Sequence, residues 1–136
     1  MKIISLGLGI QSTAMYLMSS LNHIERADYA IFADPGAELP DTYRLWEYLK
    51  DWAKYNNGIP LIKRKKSLYD DIIKGQNSYG NRWASIPAFT ESQGMVRRQC
   101  TAEYKINTVV KEVRRLHGLK KYQRMKPTIM YLRISM

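Results

Sequence analysis

A glycine-rich segment near the start of the chain has the composition of a phosphate-binding loop. It lies between a short apolar run and an amphipathic stretch, and reads Ser5-Leu-Gly-Leu-Gly-Ile-Gln-Ser-Thr13. Glycines let backbone amides turn toward an anion, and a following helix N-terminus adds positive dipole. The segment lacks the Gly-Lys-Ser/Thr of a Walker A loop, and Ser12 replaces the third glycine of a dinucleotide fingerprint. A tight turn capped by a serine explains this segment equally well. The candidate phosphate-binding residues are Ser5, Gly7, Gly9, Gln11, Ser12 and Thr13.

Two carboxylates follow the second apolar run, in Asp34-Pro-Gly-Ala-Glu38. At the carboxyl end of a strand, beside a phosphate loop, Asp34 and Glu38 could accept hydrogen bonds from a ribose or hold Mg²⁺. The alternative is that Asp34 begins a turn and Glu38 sits near a helix N-terminus, where negative charge is favourable.

A third cluster places Arg97, Arg98, Cys100 and Lys105 within nine residues at a predicted helix start. Arginine forks suit phosphate or sulfate, and cationic neighbours favour the nucleophilic thiolate of a cysteine. Cys100 is the only cysteine, so this chain alone forms no internal disulfide, cysteine-rich zinc site or iron–sulfur cluster. A lone cysteine is also a common small buried residue.

Apolar runs and amphipathic stretches alternate, as in βαβ units. We therefore predict an α/β fold with an open, mostly parallel sheet flanked by helices, in one domain over 1–136 with a divergent tail over 118–136. The predicted strands are Lys2–Leu6, Tyr29–Asp34, Ile59–Lys63 and Thr128–Ile134. The predicted helices run from a Ser12 or Thr13 cap to Leu21, from Asp41 to Asn56, from a capping box at Ser67–Asp70 to Ile73, and from a Thr101 cap to Gly118. Their predicted inward residues are Ala14, Leu17, Met18 and Leu21, then Leu45, Leu49, Trp52 and Ala53, and finally Ile106, Val109, Val110 and Val113.

The charge of the chain is divided unevenly. Residues 1–60 carry five Lys/Arg and seven Asp/Glu, whereas residues 61–136 carry seventeen and five, so the balances are −2 and +12 and the total is +10. This asymmetry indicates either an anionic partner for the second half or a solvated basic surface. No apolar run approaches the roughly 18 residues of a membrane span, so we expect a cytoplasmic protein that does not bind membranes.

Four segments, in this order, resemble the phosphoadenosine phosphosulfate reductase-like proteins common in phages and prophages. That group lies within the adenine nucleotide alpha-hydrolase (PP-loop) superfamily. The match runs from residue 3 to about residue 118, and a fifth segment, Arg124–Thr128, resembles a later motif of the group. The four segments are Ser5–Ser12, Phe32–Glu38, Ile86–Phe89 and Arg97–Ile106.

The resemblance implies a Rossmann-like adenine-nucleotide-binding domain in a bacterium or a phage-infected cell. Residues 7–13 would hold the phosphates, Asp34 and Glu38 would border the nucleotide, and Arg97, Arg98 and Lys105 would contact phosphate or sulfate. The ligand would be ATP, adenylyl sulfate (APS) or phosphoadenylyl sulfate (PAPS), with Mg²⁺ as a further candidate. Longer members continue past residue 127, which indicates a truncated or divergent copy.

Several functions follow from these expectations. In a reductase, the Cys100 thiolate would attack the sulfur of an adenylyl sulfate and leave a thiosulfonate for thioredoxin to resolve. The family's usual C-terminal cysteine segment is absent, however, and an ATP pyrophosphatase is disfavoured because Gln11 replaces the aspartate of the superfamily loop. Binding without catalysis also fits, and homo-oligomerisation stays open. The basic second half could instead bind nucleic acid, with Tyr79, Trp83 and Tyr104 as stacking groups, and the alternative for these aromatic residues is packing in the core.

Overall fold

The computed structural model describes residues 1–76, 80, 89–90, 94–95 and 101–132. The strands are β1 (Lys2–Ser5), β2 (Tyr29–Asp34), β3 (Leu61–Lys65), β4 (Phe89–Thr90), β5 (Gly94–Met95) and β6 (Ile129–Tyr131). The main sheet has four parallel strands in the order β3-β2-β1-β6, and β4 and β5 form a two-stranded antiparallel sheet. The helices are α1 (Ile10–Ser20), α2 (Pro40–Tyr55), α3 (Leu68–Ile73), a π-helical segment (Thr101–Ile106) and α4 (Asn107–Leu116). The predicted α/β fold with a parallel sheet flanked by helices is confirmed.

Both faces of the main sheet are buried. Side chains of a strand alternate between the two faces, so each strand contributes to two separate clusters. On one face Ile4 and Phe32 pack with Tyr16 of α1 and with Trp46 and Leu49 of α2. The other face carries its own cluster, in which the buried members are Ile3, Ile31, Ala33, Val109 and Val113. Helices therefore cover the sheet on two sides, and α4 alone supplies the helical part of the second cluster.

The inward face of α1 differs from the predicted apolar stripe. Its buried residues are Ser12, Tyr16, Ser19 and Ser20, whereas Ala14, Met18 and Leu21 are exposed and only Leu17 packs against the core. The serines are tolerated because their hydroxyls are bonded: Ser19 donates to the Glu25 carbonyl at 2.8 Å. The predicted cap is also wrong, since the helix begins at Ile10 with Gly9 as its N-cap.

The predicted third strand begins too early, at Ile59. In the structure Ile59 is held by α1, because its amide donates to Ser20 Oγ at 3.2 Å and its carbonyl accepts from the Tyr16 hydroxyl at 2.9 Å. The strand then runs through Lys65. At the other end of the chain, β6 begins after Thr128, whose hydroxyl lies 2.8 Å from His117 Nε2. The predicted end of that strand at Ile134 falls outside the described residues.

The remaining helices follow the sequence more closely. The predicted cap of α3 is confirmed, since Ser67 Oγ accepts from the Asp70 amide at 3.2 Å. Thr101 does not cap the last helix, because it is already the first residue of the π-helical segment. Ile106 at the junction with α4 is exposed and Val110 is half-buried. Among the described residues, no helix is both long and apolar enough to cross a membrane.

Candidate functional site at the carboxyl ends of the strands

The order of the strands defines where a ligand would bind on this sheet. The chain goes from β1 outward through β2 to β3, then returns to place β6 on the opposite side of β1. Ligands of open α/β sheets bind outside the carboxyl ends of the strands where the order reverses. The segment that leaves β1 at this point is Leu6–Gly9, the start of the predicted phosphate loop.

The loop after β1 is anchored by an apolar residue. Leu8 has a φ of 55°, in the left-handed region, and is only 6% exposed within the core cluster of α1 and α2. We expected the glycines to supply the unusual backbone, but Gly7 lies outside the left-handed region. A Cβ placed on Gly7 would meet nothing closer than Ser12 Oγ, at 3.9 Å. Neither the backbone nor the packing of the chain therefore requires glycine at position 7.

The amides of this loop are available to an anion. Gly9 O accepts the first helical bond from the Thr13 amide, at 3.0 Å, and the first amides of any helix lack partners within it. The amides of residues 7–12 have no acceptor among the described residues. The side chain of Ser12 differs from our expectation, since its buried hydroxyl donates to Gly9 O at 3.1 Å. Gln11 is exposed in the same first turn, and Ser5 ends β1 half-buried.

One hydroxyl in the first turn of α1 is left without a partner. Thr13 Oγ1 has essentially no exposed surface and no hydrogen bond within the described part of the chain. An unsatisfied buried polar atom costs about 1–3 kcal/mol. The turn thus holds a buried hydroxyl to which the described part of the chain offers no hydrogen bond.

Asp34 is an internal residue whose oxygens are already used. Its side chain is 2% exposed, and Oδ1 accepts from the Gly36 amide at 2.7 Å and the Tyr43 hydroxyl at 2.8 Å. Oδ2 lies 3.1 Å from Lys63 Nζ. Burial by itself raises the pKa of Asp34, but these hydrogen bonds and the lysine outweigh it and hold the pKa below its ordinary value. Asp34 therefore fixes the turn after β2.

Glu38 and Lys105 form an ion pair that joins the second and third sequence motifs. Lys105 Nζ lies 2.8 Å from Glu38 Oε1, and both side chains are partly exposed. The pair borders a recess of about 250 Å³ between the turn after β2 and the π-helical segment. Its lining residues are Pro35, Ala37, Glu38, Leu68, Thr101, Tyr104 and Lys105. The lysine predicted to bind an anion thus lines this recess, with a carboxylate as its present partner, whereas none of residues 5–13 lines it.

Tyr104 does not serve as a stacking group for nucleic acid. It is 1% exposed, and its hydroxyl donates to Asp71 Oδ2 at 2.6 Å. Lys66 Nζ lies 5.1 Å from the centre of its ring and donates to Glu103 O at 3.1 Å. The prediction of a stacking role for Tyr104 is wrong, because its buried ring packs the π-helical segment against α3.

Tyr43 and Lys63 are site residues that the sequence analysis missed. The Tyr43 hydroxyl contacts Asp34 and also accepts from the Glu38 amide at 3.4 Å. Lys63 Nζ lies 4.8 Å from the Tyr43 ring centre. The register that brings Lys63 beside Phe32 of β2 comes from strand pairing, for which no local signal exists. Tyr43 lies three residues before the buried Trp46 on α2. Helical periodicity could therefore have indicated that Tyr43 is on the inward face of this helix.

The remaining predicted residues lie outside the described residues: Arg97, Arg98 and Cys100 of the third motif, the segment 86–88, and Tyr79 and Trp83. Within the described ranges, no three His, Cys, Asp or Glu side chains come together as a metal site would require. Asp34 and Glu38, the carboxylates considered for Mg²⁺, are both engaged with lysines.

The geometry defines an α/β protein with a parallel sheet and an open loop at the reversal of its strand order. Comparisons with protein-family models, with curated proteins and with solved structures found no match to this chain.

Proposed function

We propose that this chain binds an adenine nucleotide, with the phosphates at residues 7–13, and that it is a Rossmann-like member of the phosphoadenosine phosphosulfate reductase-like group. The observation that carries the proposal is Gly7, a glycine that neither backbone strain nor packing explains, in a loop whose amides have no acceptor among the described residues. What remains to explain it is the close approach of a ligand to the backbone.

The residues around the loop support binding of phosphate groups. The amides of residues 7–12 would donate to phosphate oxygens, and α1 would add the positive end of its dipole. Lys105 would neutralise charge at the recess once it exchanges Glu38 for the ligand.

The sulfur chemistry proposed for the site depends on Cys100. The thiolate would attack the sulfur of an adenylyl sulfate, so that an S–S bond forms and the S–O bond to the nucleotide breaks. The nucleotide leaves with the electron pair of that bond, and a dithiol such as thioredoxin would then reduce the protein thiosulfonate and release sulfite. No step is assigned to Mg²⁺, because the described carboxylates near the loop are already paired.

A panel of nucleotides tests the proposal. We expect ATP, APS and phosphoadenosine phosphate to raise the melting temperature, because binding stabilises the native state by RT ln(1 + [L]/Kd). Adenosine should bind at least tenfold more weakly than ATP, since it lacks the phosphates. A comparison of GTP with ATP tests whether the site recognises the adenine base. Equal stabilisation by adenosine and ATP, or by none of them, would overturn nucleotide binding at this loop.

The reductase step has its own test. Wild type should release sulfite from APS or PAPS with thioredoxin, and Cys100→Ser should not. If the nucleotides bind but the wild type releases no sulfite, the reductase chemistry is wrong and the binding function stands.

A further inference from the structure

A second charged surface lies at the opposite end of the sheet from the phosphate loop. Residues 120–126, here called the basic turn, connect α4 to the start of β6 at the amino ends of the strands. No Asp or Glu occurs anywhere in residues 113–136. The cations of the basic turn are all exposed, and within the described ranges none of them forms an ion pair; they are Lys120, Lys121, Arg124 and Lys126.

The basic turn is held in one conformation by the chain itself. Arg114 Nη2 donates to the carbonyl of Lys120 at 3.0 Å and to that of Gln123 at 2.9 Å. The Lys120 amide donates to Gln123 Oε1 at 2.7 Å. An arginine of α4 thus clamps both ends of a four-residue turn, so the groups on its outer side are positioned before any partner arrives.

Tyr122 is the group that this turn displays. It is 88% exposed and has a φ of 69°, a conformation that bulky L residues rarely adopt. Lys121 Nζ lies 5.0 Å from the centre of its ring. The Tyr122 ring therefore has no role in the core of this protein. In the sequence it is preceded by Lys121 and followed, two residues later, by Arg124.

A second group of cations lies in a groove of about 530 Å³ between α4 and the edge strand β3. Its lining residues are Arg64, Lys65, Lys66, Thr108, Lys111, Glu112 and Arg115. Glu112, the one acid of that lining, is bonded to both Arg64 and Arg115. The lining includes the carboxyl end of β3, so this groove is a separate feature from the basic turn at the amino ends of the strands.

We propose that the basic turn binds single-stranded nucleic acid, with the Tyr122 ring stacked on a base and the cations of the basic turn on the neighbouring phosphates. Sequence-tolerant binding of single strands combines these two elements, because every base has an aromatic face and every nucleotide a charge. A duplex hides the faces of its bases, and a membrane surface would require a broad apolar face beside the cations. The site is separate from the phosphate loop, so it stands or fails independently of the proposed nucleotide binding.

The stacking role is tested with a fluorescein-labelled 12-nucleotide oligothymidylate, measured by fluorescence anisotropy at low salt. Tyr122→Asn removes the ring and suits the left-handed backbone, so we expect the fold to persist and the affinity to fall roughly 5- to 150-fold. Tyr122→Phe keeps the ring and should bind as the wild type does. A hairpin duplex should bind more weakly than the single strand.

Tyr55 offers a matched control. It is 81% exposed at the end of α2, with Lys54 Nζ 6.0 Å from its ring centre, but it lies in the half of the chain whose charge balance is −2. Tyr55→Asn should leave oligonucleotide affinity unchanged. Equal affinity of the wild type and Tyr122→Asn, or equal losses in the two asparagine variants, would overturn the proposal.

The phosphate contacts are tested by the dependence of binding on salt. For single strands, log K falls with log salt by about 0.7 for each neutralised phosphate. Lys121→Gln and Arg124→Gln should each reduce that slope by about 0.7, whereas Lys54→Gln should not change it. A wild-type protein that binds phosphatidylserine vesicles but not the oligonucleotide would refute the assignment.

Discussion

Replacing Gly7 with alanine should stabilise the ligand-free protein and weaken its binding of ATP. The backbone at Gly7 lies outside the left-handed region, and the new methyl group would meet no atom closer than 3.9 Å. At such a position, Gly→Ala stabilises by about 0.4–1 kcal/mol, because it restricts the unfolded chain. An unfolding entropy of about 0.29 kcal/mol/K for a chain of 136 residues then gives a rise in melting temperature of about 1–4 °C.

The loss of affinity follows from the same methyl group. If a phosphate approaches the loop amides, the Cβ displaces it from at least one charge-assisted hydrogen bond, each of which contributes about 1.5–3 kcal/mol. Affinity for ATP should therefore fall by roughly 10- to 150-fold. Calorimetry measures both quantities, one by scanning the ligand-free protein and the other by titration.

Gly58→Ala is the control for this variant. Its Cβ would come within 2.8 Å of both the Ala53 Cα and the Tyr16 hydroxyl, so this change should lower the melting temperature. Gly58 lies at the amino end of β3, away from the loop, and the folded variant should bind ATP as the wild type does. A fall in the melting temperature of Gly7→Ala, or unchanged ATP affinity, would refute the reasoning about this glycine.

Three further changes test other parts of the molecule. Thr13→Val removes a buried hydroxyl that has no partner among the described residues, so urea unfolding of the ligand-free protein should show unchanged or higher stability; lower stability would mean that the hydroxyl has a partner within the protein. Glu38→Gln releases Lys105 from its ion pair and should strengthen ATP binding several-fold in titrations, whereas weaker binding would make Glu38 itself a ligand-binding group. Hydrogen bonds from Arg115, and next from Arg64, hold the pKa of Glu112 at about 2 against burial, below the ordinary 4.5. This carboxylate therefore contributes about 2–3 kcal/mol above pH 4.5 that is lost as the pH falls toward 2, and Glu112→Gln should flatten that part of the stability curve measured by urea unfolding.

The two central strands could be predicted from sequence because each has an apolar interior with a break in the pattern at its end. Ile3–Ile4 of β1 and Ala30–Ala33 of β2 are entirely apolar, which is typical of parallel strands buried on both faces. The face of α1 could not be predicted, because its buried serines form hydrogen bonds with backbone groups: Ser12 with the N-cap of its own helix, and Ser19 and Ser20 with other segments. Hydrophobic periodicity is insensitive to such bonds.

The location of the candidate site could be predicted from the sequence, but the side-chain contacts within it could not. The glycine loop and Asp34 both follow strands, so their common edge was implied by the parallel sheet. That Leu8 would take the left-handed backbone and that Lys63 would pair with Asp34 depended on core packing and strand register. The Glu38–Lys105 pair spans 67 residues, a separation over which a single sequence carries no pairing information.

The pairing of β1 with β6 has a consequence for how the protein is made. Lys2 is the register partner of Ile129, so the pairing of the central strand β1 is complete only after residues near the other end of the sequence have been synthesised. During synthesis β1, β2 and β3 can assemble first, while the second edge of β1 presents unpaired amides and carbonyls. An open strand edge is a template for association with other chains. We therefore expect a nascent chain halted before residue 129 to aggregate or to recruit a chaperone, whereas a chain that has released residues 129–131 covers the edge of its central strand with the short strand β6.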